Sequence, residues 1–154
     1  MPHTTPIQAV DSIVIEAALS EVWKILTSFN EYPQWWPRSL GLRVLSCPSD
    51  LLGAEMQIRP YGGRPFRCRV ESIEPMTSIH LRYFGGFIEG TGQWHLVSEG
   101  NKTQVSYRLD AVANGWLIAM LAKVISLGKF HSSSMNTVLR NLDQFVRNNV
   151  GSQN

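Results

Sequence analysis

The sequence predicts an α+β fold in which a curved antiparallel sheet is covered by a long C-terminal helix. Two observations carry this expectation. From Leu40 to Asn114 apolar and polar residues alternate, segment after segment, with Gly- and Pro-containing turns between them. From Trp116 to about Asn148 the period becomes helical.

The chain opens with a strand over Ile7–Glu16, rich in Ile and Val, preceded by a polar, Pro-containing end. Residues 1–6 and 151–154 read as loose ends, leaving an ordered core of about 7–149 in one domain spanning 1–154. Ser20 is the expected N-cap of a first helix, with Glu21 facing its positive end. Val22, Trp23, Ile25, Leu26 and Phe29 give that helix an apolar face. A second short helical turn covers Glu31–Trp36, and Pro37 ends it.

Six strands follow. Leu42 and Val44 mark the first. Met56 and Ile58, then Phe66, Cys68 and Val70, then Ile79, Leu81 and Tyr83 take the apolar side of the next three. Ile88, Trp94 and Leu96, then Val105, Tyr107 and Leu109, do so for the last two. Tyr61-Gly62-Gly63, Glu74–Thr77, Gly85-Gly86 and Glu99–Lys102 are the turns. Alternation of this kind buries one face and wets the other, and short turns between sequential strands give an antiparallel meander. A sheet with one apolar face needs a cover, which the C-terminal segment supplies.

In that segment Leu117, Leu121, Val124, Gly128, His131, Met135, Val138, Leu142 and Phe145 recur at spacings of four and three, placing them on one helical face. As one helix the segment is about 50 Å long at 1.5 Å per residue. Gly128 is the expected place for a bend or a break. The stripe is bulky at its ends and thin in the middle, where Gly128, His131 and Ser132–Ser134 stand. Two readings of that thinning remain: a void that holds a ligand, or a close approach of helix to sheet with His131 hydrogen-bonded inside.

At 154 residues with a formal charge of +2 and mixed signs, the chain lacks the clustered basic face of a nucleic-acid binder. No apolar run reaches the roughly 18 residues of a membrane span, and no signal-peptide pattern is visible, so a cytoplasmic location is expected. Cys47 and Cys68 read as free thiols. No two histidines have metal-ligand spacing with a carboxylate, and no phosphate-binding loop or nucleophile elbow is present, so neither metal nor cofactor is expected.

Two stretches resemble a known family. One is Ile15–Leu26 followed by Phe29–Pro37; the other is Ile88–Leu96 followed by Thr103–Asp110. Together they are similar to the polyketide cyclase/dehydrase branch of the START-like superfamily. That resemblance implies the helix-grip fold: a seven-stranded antiparallel sheet wrapped around a C-terminal helix, with two short helices after the first strand. It implies a cavity between sheet and helix, used in that family for lipids, sterols, isoprenoids or polyketides, and in some members for cyclisation or dehydration. The branch often carries an Asn-His pair in the last helix, whereas this chain has His131-Ser132 near that point.

The expected ligand-binding set follows from the apolar parity, the thin mid-helix and the family's entrance helices. It comprises Trp35 and Trp36 beside the entrance, and Met56, Ile58, Phe66, Cys68, Leu81, Tyr83, Trp94 and Tyr107 on the sheet. Trp116, Met120, Val124, Gly128, His131 and Met135 complete it on the helix. Glu89 joins this set only if a β-bulge among Gly85, Gly86, Gly90 and Gly92 turns it inward; strict alternation leaves Glu89 and Arg82 in solvent. No catalytic residue is assigned. Three functions are compatible with these residues: binding of a small hydrophobic molecule, aromatase or cyclase chemistry through His131, Glu89, Arg82 and Tyr83, or an interaction module with a filled core and an apolar patch over Trp116 and Ile118–Ile125.

Overall fold

The computed structural model describes residues 4–151; His3, expected in a loose end, lies outside them. Strand β1 (Thr4–Ile15) leads into helix α1 (Leu19–Thr27), then 3₁₀ turns at Phe29–Gln34 and Arg38–Leu40. Strands β2 (Leu42–Ser46), β3 (Glu55–Ile58), β4 (Phe66–Glu74), β5 (Ser78–Phe84), β6 (Ile88–Glu99) and β7 (Lys102–Asn114) follow. Helices α2 (Trp116–Leu121) and α3 (Leu127–Gly151) complete the described chain. The seven strands form one antiparallel sheet in the order β1-β7-β6-β5-β4-β3-β2. This is the antiparallel sheet under a C-terminal helix that the residues predict, and the helix-grip arrangement that the resemblance implies.

The alternation sorts as expected. Phe66, Cys68 and Val70 of β4, Ile79, Leu81 and Tyr83 of β5, and Val105, Tyr107 and Leu109 of β7 are all buried on the concave face. Met135, Val138, Leu139, Leu142 and Val146 of α3 close over them. The convex face is wet. There Arg67 and Arg69 lie over the Phe84 ring, at 5.0 and 4.8 Å from its centroid, and both face Glu55.

Four local expectations are corrected. First, the amino-terminal strand starts at Thr4, not Ile7, because Thr4–Pro6 pair with Asn114–Val112 of the long β7. Second, α1 is entered from Ala18 rather than capped by Ser20. The Thr103 hydroxyl donates to the Ala17 carbonyl at 2.8 Å and fixes the chain just before that helix.

Third, the C-terminal helix is interrupted, and ahead of Gly128. Ala122–Ser126 form a turn, and the Ser126 hydroxyl accepts the Lys129 N–H at 3.2 Å, capping α3. The interruption resets the helical phase. Leu117, Leu121 and Val124 therefore leave the stripe and face solvent.

Fourth, the register between β5 and β6 runs unbroken, and the irregularities fall at Val44/Ser46 and Val70/Ser72 instead. Glu89 consequently points outward. Arg82 approaches Glu71 at 3.7 Å on the same wet face.

Candidate functional site

Between the concave sheet and the start of α3 lies a cavity of about 190 Å³. Its floor is Ile88 of β6 with Leu109 and Ala113 of β7, flanked by Ile7 of β1. One wall is Ile58, Phe66 and Tyr83, and the other is Trp36 and Leu40 from the segment after α1. The roof is Ile118 of α2 with Leu127, His131, Met135 and Val138 of α3. Phe87, Pro60 and Ser134 fill the corners, while Tyr61 and Phe130 stand at the outer end, each more than half exposed. Their rings lie 5.8 Å apart, and the Tyr61 and Ser134 hydroxyls are hydrogen-bonded at 2.8 Å, so the β3–β4 turn is tied to the first turns of α3.

The positions of these side chains follow from local constraints. The Trp35 and Trp36 rings lie 5.8 Å apart, and both pack on the Tyr32 ring, at 4.6 and 6.1 Å. Trp35 goes into the core, where its carbonyl accepts from the Asn141 amide at 2.9 Å. Trp36 borders the cavity and donates to the Leu40 carbonyl at 3.3 Å. Gly128 lies in the first turn of α3, where a Cβ would stand 3.1 Å from the Gln8 carbonyl of β1. Its lack of a side chain serves a close approach of helix to strand. The open space lies instead toward His131 and Met135.

Few polar groups enter the lining. The Tyr83 and Tyr107 hydroxyls are hydrogen-bonded to each other, and Tyr107 meets Trp94 edge-on at 4.8 Å and stacks on the His131 ring at 6.3 Å. Burial pushes the Tyr83 phenol well above its ordinary value, so it stays a neutral donor. Burial also lowers the His131 pKa, while the Asp11 carboxylate pulls it the other way. Asp11 is engaged by the Ser132 hydroxyl at 3.0 Å. The His131 Nδ1 is buried and has no hydrogen-bond partner among the described residues, as is Trp35 Nε1. Cys68, deep in β4, is pushed up to about 12 by burial and is unreactive at neutral pH.

Of the expected ligand-binding residues, the structure brings Trp36, Ile58, Phe66, Tyr83, His131 and Met135 to the cavity. Trp35, Met56, Cys68, Leu81, Trp94 and Tyr107 are buried in the packed core beside it. Trp116, Met120 and Val124 point to solvent, as does Glu89. Reasoning on the sequence missed Ile7, Leu40, Ala113 and Leu127. Ile7 and Ala113 were visible as members of the strand alternation, but no local signal marks Tyr61 or Phe130 as the outer end.

Among the described residues no three His, Cys, Asp or Glu side chains converge as a metal site, and no helix is long and apolar enough to cross a membrane. The family model described as polyketide cyclase/dehydrase and lipid transport matches residues 6–143. A START superfamily protein from Mycobacterium smegmatis is similar over 92% of this chain and 97% of its own, with a TM-score of 0.72 and 16% identity. The Zhui aromatase/cyclase of Streptomyces sp. R1128 is similar over 96% of each chain, with a TM-score of 0.70 and 14% identity. Truncated norcoclaurine synthase from Thalictrum flavum is similar over 94% of each chain, with a TM-score of 0.66 and 10% identity. At these identities the likeness is one of fold.

Proposed function

Because the chain belongs to the polyketide cyclase/dehydrase and lipid transport family, we propose that its cavity binds a small, largely apolar molecule. The observation that carries this reading is a 190 Å³ space lined almost wholly by hydrocarbon, at the point where the last helix crosses the sheet. An apolar cavity of about 150 Å³ stays dry and takes up benzene, so this one suits a compact ligand of one or two rings or a short branched chain. Tyr83 and His131 are the polar groups on its inner wall, placed to orient a single ligand oxygen.

Binding is favoured over acid–base chemistry by the lining itself. No Asp or Glu borders the cavity, and Glu89 and Arg82 stand on the opposite face of the sheet. His131 has no carboxylate beside it within that space to complete a proton-transfer pair.

The test is native mass spectrometry of freshly purified protein, with extraction and identification of any bound molecule, repeated on Ala113→Leu. Ala113 is a small floor residue, and Leu there occupies the space a ligand would take. The expected result is a bound small molecule in the parent chain and none in a folded Ala113→Leu. Parent protein that carries no molecule and takes up no apolar fluorescent probe overturns the proposal, as does unchanged uptake by Ala113→Leu.

A further inference from the structure

The roof of the cavity has a second side. Ile118 and Leu127 face inward and line the space. On the outside, Trp116, Leu117, Met120, Leu121, Val124 and Ile125 are exposed, Val124 to 84%. So many large apolar side chains bared on one short segment mark an interaction face. The charge within this stretch of chain is one-sided. Between Asp110 and Asp143 the sequence contains no Asp or Glu, while Lys123, Lys129 and Arg140 fall within that stretch. Lys123 and Lys129 are exposed, directly beside the apolar side chains, and neither makes an ion pair among the described residues. The neighbouring rim adds Arg59 and Arg64, exposed on either side of the turn that Tyr61 ties to Phe130 and Ser134.

We infer that α2 and the turn after it dock on an anionic lipid surface, with Trp116, Leu121 and Val124 entering the headgroup boundary and Lys123 and Lys129 engaging lipid phosphates. Apolar bulk bordered by lysine, with no acidic residue in its own stretch of chain, is the composition that binds such a surface peripherally, and Trp prefers that boundary. A second copy of this chain or an apolar protein groove would bury the same side chains, but neither accounts for the absence of any acidic residue through thirty-two positions from Ala111 to Leu142. Docking there sets the inner face of the same segment, and so the cavity, directly above the lipid. The inference extends the binding reading by naming the source of the ligand, yet docking itself depends only on the outer face.

The experiment is flotation of the full chain with vesicles of phosphatidylcholine alone or mixed with phosphatidylglycerol. The protein is expected to float with the anionic vesicles, to stay behind with the neutral ones, and to be released by high salt. Lys123→Ala with Lys129→Ala weakens binding on the order of 30-fold, taking roughly 1 kcal/mol for each basic residue at the surface. Val124→Asp abolishes flotation; its site is so exposed that the thermal transition stays unchanged, which circular dichroism checks. Flotation of Ala113→Leu separates the two readings, since its core change leaves the docking face intact whether or not it takes up ligand. Equal recovery with both vesicle types, or no flotation at all, overturns the inference. So does a salt-resistant dimer in light scattering that Val124→Asp dissociates, which assigns the face to a second copy.

Discussion

Tyr83 of β5 and Tyr107 of β7 hydrogen-bond to each other across β6, over Gly92, which has no side chain to stand in the way. Two phenols are thus satisfied inside an apolar wall without any backbone partner, and only Tyr83 reaches the cavity. Tyr83→Phe leaves the buried Tyr107 hydroxyl without its partner and is expected to cost about 1–3 kcal/mol. Adding Tyr107→Phe should recover part of that loss, because the orphaned group is removed as well. A double-mutant cycle by urea denaturation measures the coupling, and strict additivity would contradict the pairing.

Gly92 is held to its identity by the same pair. A Cβ there would collide with the Tyr107 hydroxyl and stand 2.7 Å from Cε2 of Tyr83. Gly92→Ala is expected to destabilise by about 1–3 kcal/mol through overpacking. In a Tyr107→Phe background the cost should shrink, since the atom met most closely is gone. Paired denaturation curves read the difference.

His131 makes stability depend on pH. Burial, only partly offset by Asp11, holds its imidazole below the ordinary 6.5. The unfolded chain therefore takes up this proton first as pH falls. Stability is full above about 6.5 and declines below it until the folded-state value is passed. Melting temperatures followed down from neutral pH should fall more steeply for the parent chain than for His131→Phe, which cannot titrate. Equal slopes would remove His131 from the account.

The break ahead of α3 gives a contrast between neighbours. Ser126→Ala removes the hydroxyl that accepts from Lys129 and should cost about 1 kcal/mol. Gly128→Leu should destabilise by about 1–3 kcal/mol, because its Cβ meets the Gln8 carbonyl at 3.1 Å. Neither side chain reaches into the cavity, so ligand uptake by the folded fraction should survive both changes, as native mass spectrometry can show.

The strands were legible because a period of two is a local property: each buried residue from Phe66 to Leu109 announces its face through its neighbours. The helical stripe was legible only from Gly128 onward. Its earlier positions matched the same spacing, yet Ser126, a capping residue in an otherwise apolar run, ends that phase. A cap acts on backbone groups, so it leaves no trace in the hydrophobic period. Of the two readings of the thinning at Gly128, the close approach of helix to sheet is the one found, against β1, while the space opens a turn later beside a His131 Nδ1 that has no hydrogen-bond partner among the described residues. The cavity's outer end was beyond reach because Tyr61 and Phe130 are distant in sequence and meet only through a turn whose Tyr61 backbone takes a φ of +52°.

The five-residue turn at Ala122–Ser126 makes the cavity's cover two pieces instead of one. The C-terminal piece is anchored by Val138, Leu139, Leu142 and Val146, all essentially inaccessible. The short piece ahead of the turn puts little of its bulk into the core. Swinging it aside would uncover Ile118 and the cavity lining but leave the packed core under α3 in place, so opening the cover does not require melting the domain. Under the proposed function, ligand entry and cohesion would fall to different stretches of chain, and substitutions that alter one need not disturb the other.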